Sequence, residues 1–174
     1  MICLVEYDGK WRTQFEQERS RLVAVTGGVL RNIEHFGSTA IPGLSSKPVL
    51  DLMAPVPSLD ETGRYSSLLE PFGYVHLDAG FAKRLLFVKR DDTQVNLHLV
   101  LASHWRDKNE LLFRDWLLKH PKAVQEYEEL KRELAQKFSD DMEQYTQGKS
   151  EFVRWIVSAA RAERGLPERV DWSE

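Results

Sequence analysis

Gly37, Ser38 and Thr39 follow a hydrophobic run, and further along Asp51 stands as the single acid in the apolar stretch 49–56. Phosphate binding needs backbone N–H groups that face a ligand with no side chain in the way. Gly37 permits that approach, and the Ser38 and Thr39 hydroxyls add donors. A carboxylate inside an apolar strand is costly unless a metal or a partner compensates it. Metal-assisted phosphoryl transfer accounts for both features, with Asp51 holding Mg²⁺ and Mg²⁺ holding a triphosphate. The bare spacing leaves a plainer reading open, in which Gly37-Ser38 is a simple turn and Asp51 caps a loop or pairs with an arginine.

Several cations are candidates to neutralise such a ligand. Lys47 ends the segment that begins at Gly37, and Lys149 follows Tyr145-Thr146. Arg84 precedes a strand pattern, and Arg114 lies between Phe113 and Trp116; either offers a fork of donors to a triphosphate. Surface pairing is the alternative for the two arginines, a solvated loop lysine for Lys47 and a plain helix start for Lys149. His35, just before the loop, either orients Ser38 or is a packed histidine. Trp105, Trp116, Phe152 and Trp155 fall at helical spacing and read as core.

The elements that must position these residues follow from periodicity. Residues 2–5 read as an edge strand broken by Asp8-Gly9. The spacing of Trp11, Phe15, Leu22 and Val25 predicts a helix over 11–25, closed by Gly27-Gly28. A strand over 29–36, the loop 37–47 and a strand over 49–56 follow. Ser58-Leu59-Asp60-Glu61 marks a helix start, with that helix running to Leu69. Residues 74–77 read as a strand, and 84–89 with 94–101 as a hairpin. Helices are expected over 108–119, 123–138 and 149–164, with Pro121 at a first turn. The fold class is α+β: a small mixed sheet with flanking helices and a helical C-terminal part, not a doubly wound parallel sheet. One domain over 1–165 and a C-terminal tail over 166–174 are expected.

Bulk composition removes several function classes. The 174 residues, 42% hydrophobic and 29% charged, are sufficient for one packed core. One cysteine, Cys3, permits no internal disulfide and no thiolate metal cluster, which points to a reducing, cytoplasmic location. No apolar run approaches a membrane-spanning length, and the first residues lack the features of a signal peptide. A formal net charge of −3 argues against a dedicated nucleic-acid binder. The expected partner is a nucleotide or phosphorylated small molecule.

Phe36-Gly37-Ser38, a gap and Asp51 in a hydrophobic strand resemble the nucleotidyltransferase superfamily. More specifically, IEHFGSTAIPGLSSKPVLDL at 33–52 resembles the GrpB-like (UPF0157) family. Tyr7-Asp8-x-x-Trp11 with Phe15-Glu16 and Asn96-Leu97-His98-Leu99 match further family blocks. Phe113-Arg114-Asp115-Trp116-Leu117 and Tyr145-Thr146-x-x-Lys149-x-x-Phe152 also match. The likeness spans roughly 5–160. It implies a nucleotidyltransferase-like fold and, with it, metal-dependent transfer of a nucleotidyl group from a nucleoside triphosphate to an acceptor. The Gly37-Ser38 backbone would hold the β and γ phosphates. The domain's fusion to dephospho-CoA kinase in some bacteria hints at nucleotide or coenzyme A metabolism.

The chain departs from the superfamily pattern at one decisive position. Two carboxylates at i and i+2 share one face of a strand, but the i+2 residue here is Met53, which cannot ligate Mg²⁺. In 94–101, Gln94, Asn96, His98 and Val100 share a face, which sets Asn96 and His98 beside Asp51. His98 is then a candidate metal ligand, general base or hydrogen-bond partner, and an imidazole ligand would favour Mn²⁺ or Zn²⁺ over Mg²⁺. The alternative function is a non-catalytic nucleotide or phosphometabolite binder that kept the fold and lost the second acid. A third reading, a protein-interaction module on the Glu/Lys-rich helices over 108–138, explains less than a solvated helix face does.

Overall fold

The computed structural model describes residues 2–103 and 105–168. Trp11, Phe15, Glu18 and Leu22 recur on one face of the first helix, α1 (Lys10–Val25), and are all buried. Thr26 closes that helix: its hydroxyl donates to the Leu22 carbonyl and accepts from the Leu30 amide. Gly27, Gly28 and Asn32 all have positive φ. The strand expected over 29–36 therefore shrinks to β1 (Glu34–Phe36), because three left-handed residues turn the chain before it can extend. The strand expected over 2–5 is likewise absent; Val5 makes only an isolated antiparallel bridge to Ser46.

The remaining strands are β2 (Leu50–Val56), β3 (Val75–Leu77), β4 (Arg84–Lys89) and β5 (Val95–Leu101). They form one sheet in the order β1-β2-β5-β4-β3. The β2–β5 pair is parallel and all other neighbours are antiparallel. α2 (Thr62–Leu69), β3 and β4 lie in the connection between the two parallel strands.

One face of the sheet is core throughout. Leu50, Leu52, Ala54 and Val56 of β2 join Val95, Leu97 and Leu99 of β5, Phe87 of β4, and residues of α1 and α2 in a single cluster. A buried polar tie secures α1 to it. Lys89 Nζ lies 2.8 Å from Glu18 Oε1, and the Tyr74 hydroxyl donates to the same oxygen at 2.6 Å. Such a buried pair persists because each partner's loss would strand the other's charge.

The opposite face is covered only in part. Phe36, Met53 and Val100 pack under Trp105 and under Leu111 of α3 (Asn109–Lys119). α4 (Pro121–Lys137), α5 (Met142–Gly148) and α6 (Ser150–Glu163) complete the helical part. α5 is absent from the sequence reading; Asp141 caps it by accepting from the Gln144 amide. Gly148 lets α5 approach α4, since a Cβ there would lie 2.5 Å from Leu134 Cδ2. Among the described residues no helix is long and apolar enough to cross a membrane.

Candidate functional site

The parallel register aligns Asp51 with Asn96 and Met53 with His98, and β1 sets Phe36 opposite Asp51. Aligned residues of neighbouring strands share a face, so these side chains emerge on the incompletely covered side of the sheet. Asp51 and Asn96 remain partly exposed there, whereas Met53 is fully buried. The place where a second acid would stand is thus sealed core beneath Trp105 and Leu111.

Gly37 brings the loop backbone onto the Asp51 carboxylate. Its φ of 70° and ψ of −176° lie in a region open only to glycine. An added Cβ would sit 2.5 Å from Asp51 Oδ2. Asn96 Nδ2 donates to Asp51 Oδ1 at 2.8 Å, and Arg90 in turn donates to Asn96 Oδ1 at 2.6 Å. Burial raises the Asp51 carboxyl to about 6, against the Asn96 hydrogen bond and the charges of Lys47 and Arg90, which pull it down.

The turn after Gly37 meets the helical part through a lysine. Lys131 Nζ of α4 donates to Ser38 Oγ at 2.9 Å and also to the Ser45 carbonyl. Glu128, one turn earlier, accepts from the Ser45 amide at 2.8 Å, locking the 37–47 loop to α4. Lys131 is buried, and burial lowers its ammonium to about 8. Lys149 is also lowered to about 8, by burial first and by the nearby charge of Lys47 second. Its ammonium stands 4.1 Å from the centre of the Tyr145 ring. Lys47 is exposed, and its Nζ lies 3.8 Å from Met142 Sδ.

The structure therefore links Gly37, Ser38, Lys47, Asp51 and Lys149 as neighbours of one another and adds Asn96, Arg90 and Lys131. Lys131 and Arg90 are the residues that sequence reasoning missed. Lys131 carried a signal, since it falls on the buried stripe Ala123, Tyr127, Lys131, Leu134 of α4. Arg90 carried none, because its role depends on hairpin geometry.

The other candidates have partners of their own. Thr39 is buried, with its hydroxyl held between His35 Nε2 at 2.9 Å and the Val49 carbonyl. His35 stacks on Phe15 and is lowered to about 4, by burial and then by Arg114. Arg114 is bound to Glu34, Asp115 and the His35 carbonyl. Arg84 pairs with Glu110 at 2.6 Å, and its NH1 lies 3.5 Å from His98 Nδ1. His98, lowered to about 3 by burial and then by Arg84, packs against Phe36 and Phe81.

This donor set defines what metal chemistry fits. Among the described residues no three or more His, Cys, Asp and Glu side chains converge. The Asp51 carboxylate stands within the fields of Lys47 and Arg90. It suits a divalent cation that arrives already bound to phosphate oxygens, since Mg²⁺ commonly uses one carboxylate plus substrate phosphates. It does not suit a resident pair of ions held by the protein alone.

Comparison with known proteins agrees with this architecture. The family model described as GrpB protein matches residues 1–159. The UPF0157 protein YqkA of Bacillus subtilis is 33% identical over 162 residues, covering 92% of this chain and 47% of the relative, so the chain spans about half of that protein's length. The crystal structure of the conserved protein GrpB from Enterococcus faecalis superposes with a TM-score of 0.83 at 26% identity, covering 94% of this chain and 99% of that one. Terminal uridylyl transferase 4 from Trypanosoma brucei with bound dUTP aligns with a TM-score of 0.56 at 11% identity, covering 93% of this chain and 56% of that one. That last likeness is one of fold, and it makes the fold nucleotidyltransferase-like.

Proposed function

The chain belongs to the GrpB protein family, and from that premise we propose that it binds a nucleoside triphosphate in the cleft between the sheet and the helical part. The observation that carries this reading is the convergence of Lys131 on Ser38, with Lys149 and Lys47 close by and the Asp51 carboxylate against Gly37. Lysines at an open turn recognise phosphate charge, and a lone carboxylate among them recognises a phosphate-bound cation. The dUTP held by the uridylyl transferase of similar fold supports a nucleotide as the source of that phosphate.

In this reading the Gly37–Ser38 turn lets phosphate oxygens approach the backbone, while Lys131 fixes the Ser38 hydroxyl and faces the same charge. Lys47 and Lys149 flank the chain of phosphates. Asn96 orients Asp51, and Arg90 orients Asn96. A divalent ion entering with the nucleotide would offset phosphate charge between its oxygens and Asp51. Binding is the activity this geometry supports best, because Met53 fills the position of the second acid. Transfer of the nucleotidyl group to an acceptor is the second reading, favoured by the retained carboxylate.

Thermal unfolding with ATP, UTP, GTP or CTP, each with and without MgCl₂, tests the proposal. At least one triphosphate is expected to raise Tm, more so with Mg²⁺, and Asp51→Asn is expected to remove the Mg²⁺-dependent part. No shift with any of the four would refute it.

A further inference from the structure

A pocket of about 270 Å³ is lined by Lys149, one of the lysines proposed above to flank phosphate, and by Tyr127, Thr146, Ser150, Val153 and Arg154. It lies where α4, α5 and α6 meet. The triphosphate reading does not use it.

Tyr127 is the informative residue. It is 6% exposed. One ring face stacks on Phe152 at 5.1 Å, and the Lys131 ammonium lies over the ring at 5.5 Å. Phe113 meets the same ring edge-on at 5.2 Å. With the ring held by Phe152, Phe113 and Lys131, the hydroxyl end is what the pocket meets. That hydroxyl has no hydrogen-bond partner among the described residues, and burial keeps it protonated by raising its pKa. At the pocket wall it is a donor available to a ligand.

The other polar groups agree in character. Thr146 adds a hydroxyl, Ser150 adds one that donates to the Thr146 carbonyl at 3.5 Å, and Lys149 and Arg154 add positive charge. No carboxylate lines the pocket. Ser150 also begins the 14-residue helix α6, whose first amides favour negative charge. Hydroxyl donors with two cations around a small cavity match an oxyanion, and Val153 supplies an apolar wall.

We propose that this pocket is a second ligand site, taking the compact oxyanion of a small molecule, phosphoryl or carboxylate, held by Tyr127, Thr146, Ser150, Lys149 and Arg154. It shares Lys149 with the nucleotide reading, and Tyr127 and Arg154, which that reading does not use, tell the two apart.

The test is amide NMR of the whole chain titrated with inorganic phosphate and, separately, with succinate, at constant ionic strength. Saturable shifts at residues 146–154 are expected with at least one anion; phosphate alone would assign a phosphoryl group, succinate alone a carboxylate. Arg154→Gln is expected to weaken that saturation about tenfold and Tyr127→Phe at least threefold. Both variants keep the packing, since Arg154 is exposed and phenylalanine retains the ring. Both should also leave the response of Gly37 and Ser38 to ATP within twofold of the parent. Non-saturating shifts with both anions would overturn the proposal, as would saturation unchanged in both variants. A missing response to ATP at Gly37 and Ser38 would count against the nucleotide reading alone.

Discussion

Asp51 holds its charge against its surroundings. Its folded pKa of about 6 stands above the ordinary 3.8, so protonation is favoured by folding. The associated stability is fully present below pH 4, is lost as pH rises through 6, and amounts to at most ~3 kcal/mol. Asp51→Asn keeps the size of the group and removes the charge. Urea unfolding is expected to show the variant more stable at pH 7.5 by ~1–3 kcal/mol and near parity at pH 4; a variant less stable at pH 7.5 would contradict the burial argument. The lysines carry the reverse sign. Lys131 and Lys149, lowered to about 8 from 10.5, contribute stability above pH 10.5 that is lost as pH falls through 8. A phosphate ligand favours their charged forms, so binding near pH 8 should take up protons, and affinity should fall as pH rises past 8. Calorimetry of triphosphate binding in two buffers of different ionisation enthalpy measures this uptake, and Lys131→Met should reduce it. Zero uptake in the parent would separate the lysines from the ligand.

At the scale of elements, β2 and α3 decide which chemistry is open. β2 presents Asp51 at the uncovered end of the sheet and Met53 beneath α3, one alternation later. Met53→Asp would place an unpaired carboxylate in that core, and it is expected to destabilise the fold by ~3–5 kcal/mol without adding Mg²⁺-dependent activity. A stable variant with new metal-dependent turnover would show that α3 yields more readily than its packing indicates. Much of this was legible in the sequence. The lone acid in an apolar strand, the glycine before Ser38 and the alternation in 94–101 placed Asp51 and Asn96 side by side, and the hairpin of β4 and β5 followed from its pattern. The short elements were not legible. α5 is seven residues with little apolar periodicity, and its signal is the Asp141 cap alone. The strand over 29–36 was overcalled because Asn32 adopts a positive φ that its residue type permits but does not announce. Lys131 was hidden in a helix rich in glutamate and lysine, although its place on the apolar stripe marked it as buried.

At the scale of the molecule, the 37–47 loop ties the sheet to α4, beside the packing of α3 on the sheet. The 37–47 segment leaves the sheet edge, is held by Lys131 and Glu128 of α4, and returns to β2. Sheet and helices therefore share their ionic groups at a common boundary: the carboxylate comes from the sheet, and Lys131 and Lys149 come from the helical part. A ligand bridging that boundary should need both contributors. Isothermal titration of the nucleoside triphosphate that gives the largest thermal shift, with MgCl₂ at pH 7.0, compares the parent with Lys131→Met most directly. A lost charge-assisted contact to phosphate of ~1.5–3 kcal/mol corresponds to a ten- to hundredfold loss of affinity. The account expects that loss in a variant whose circular dichroism shows the parent's secondary structure. Equal affinity in parent and variant would contradict it.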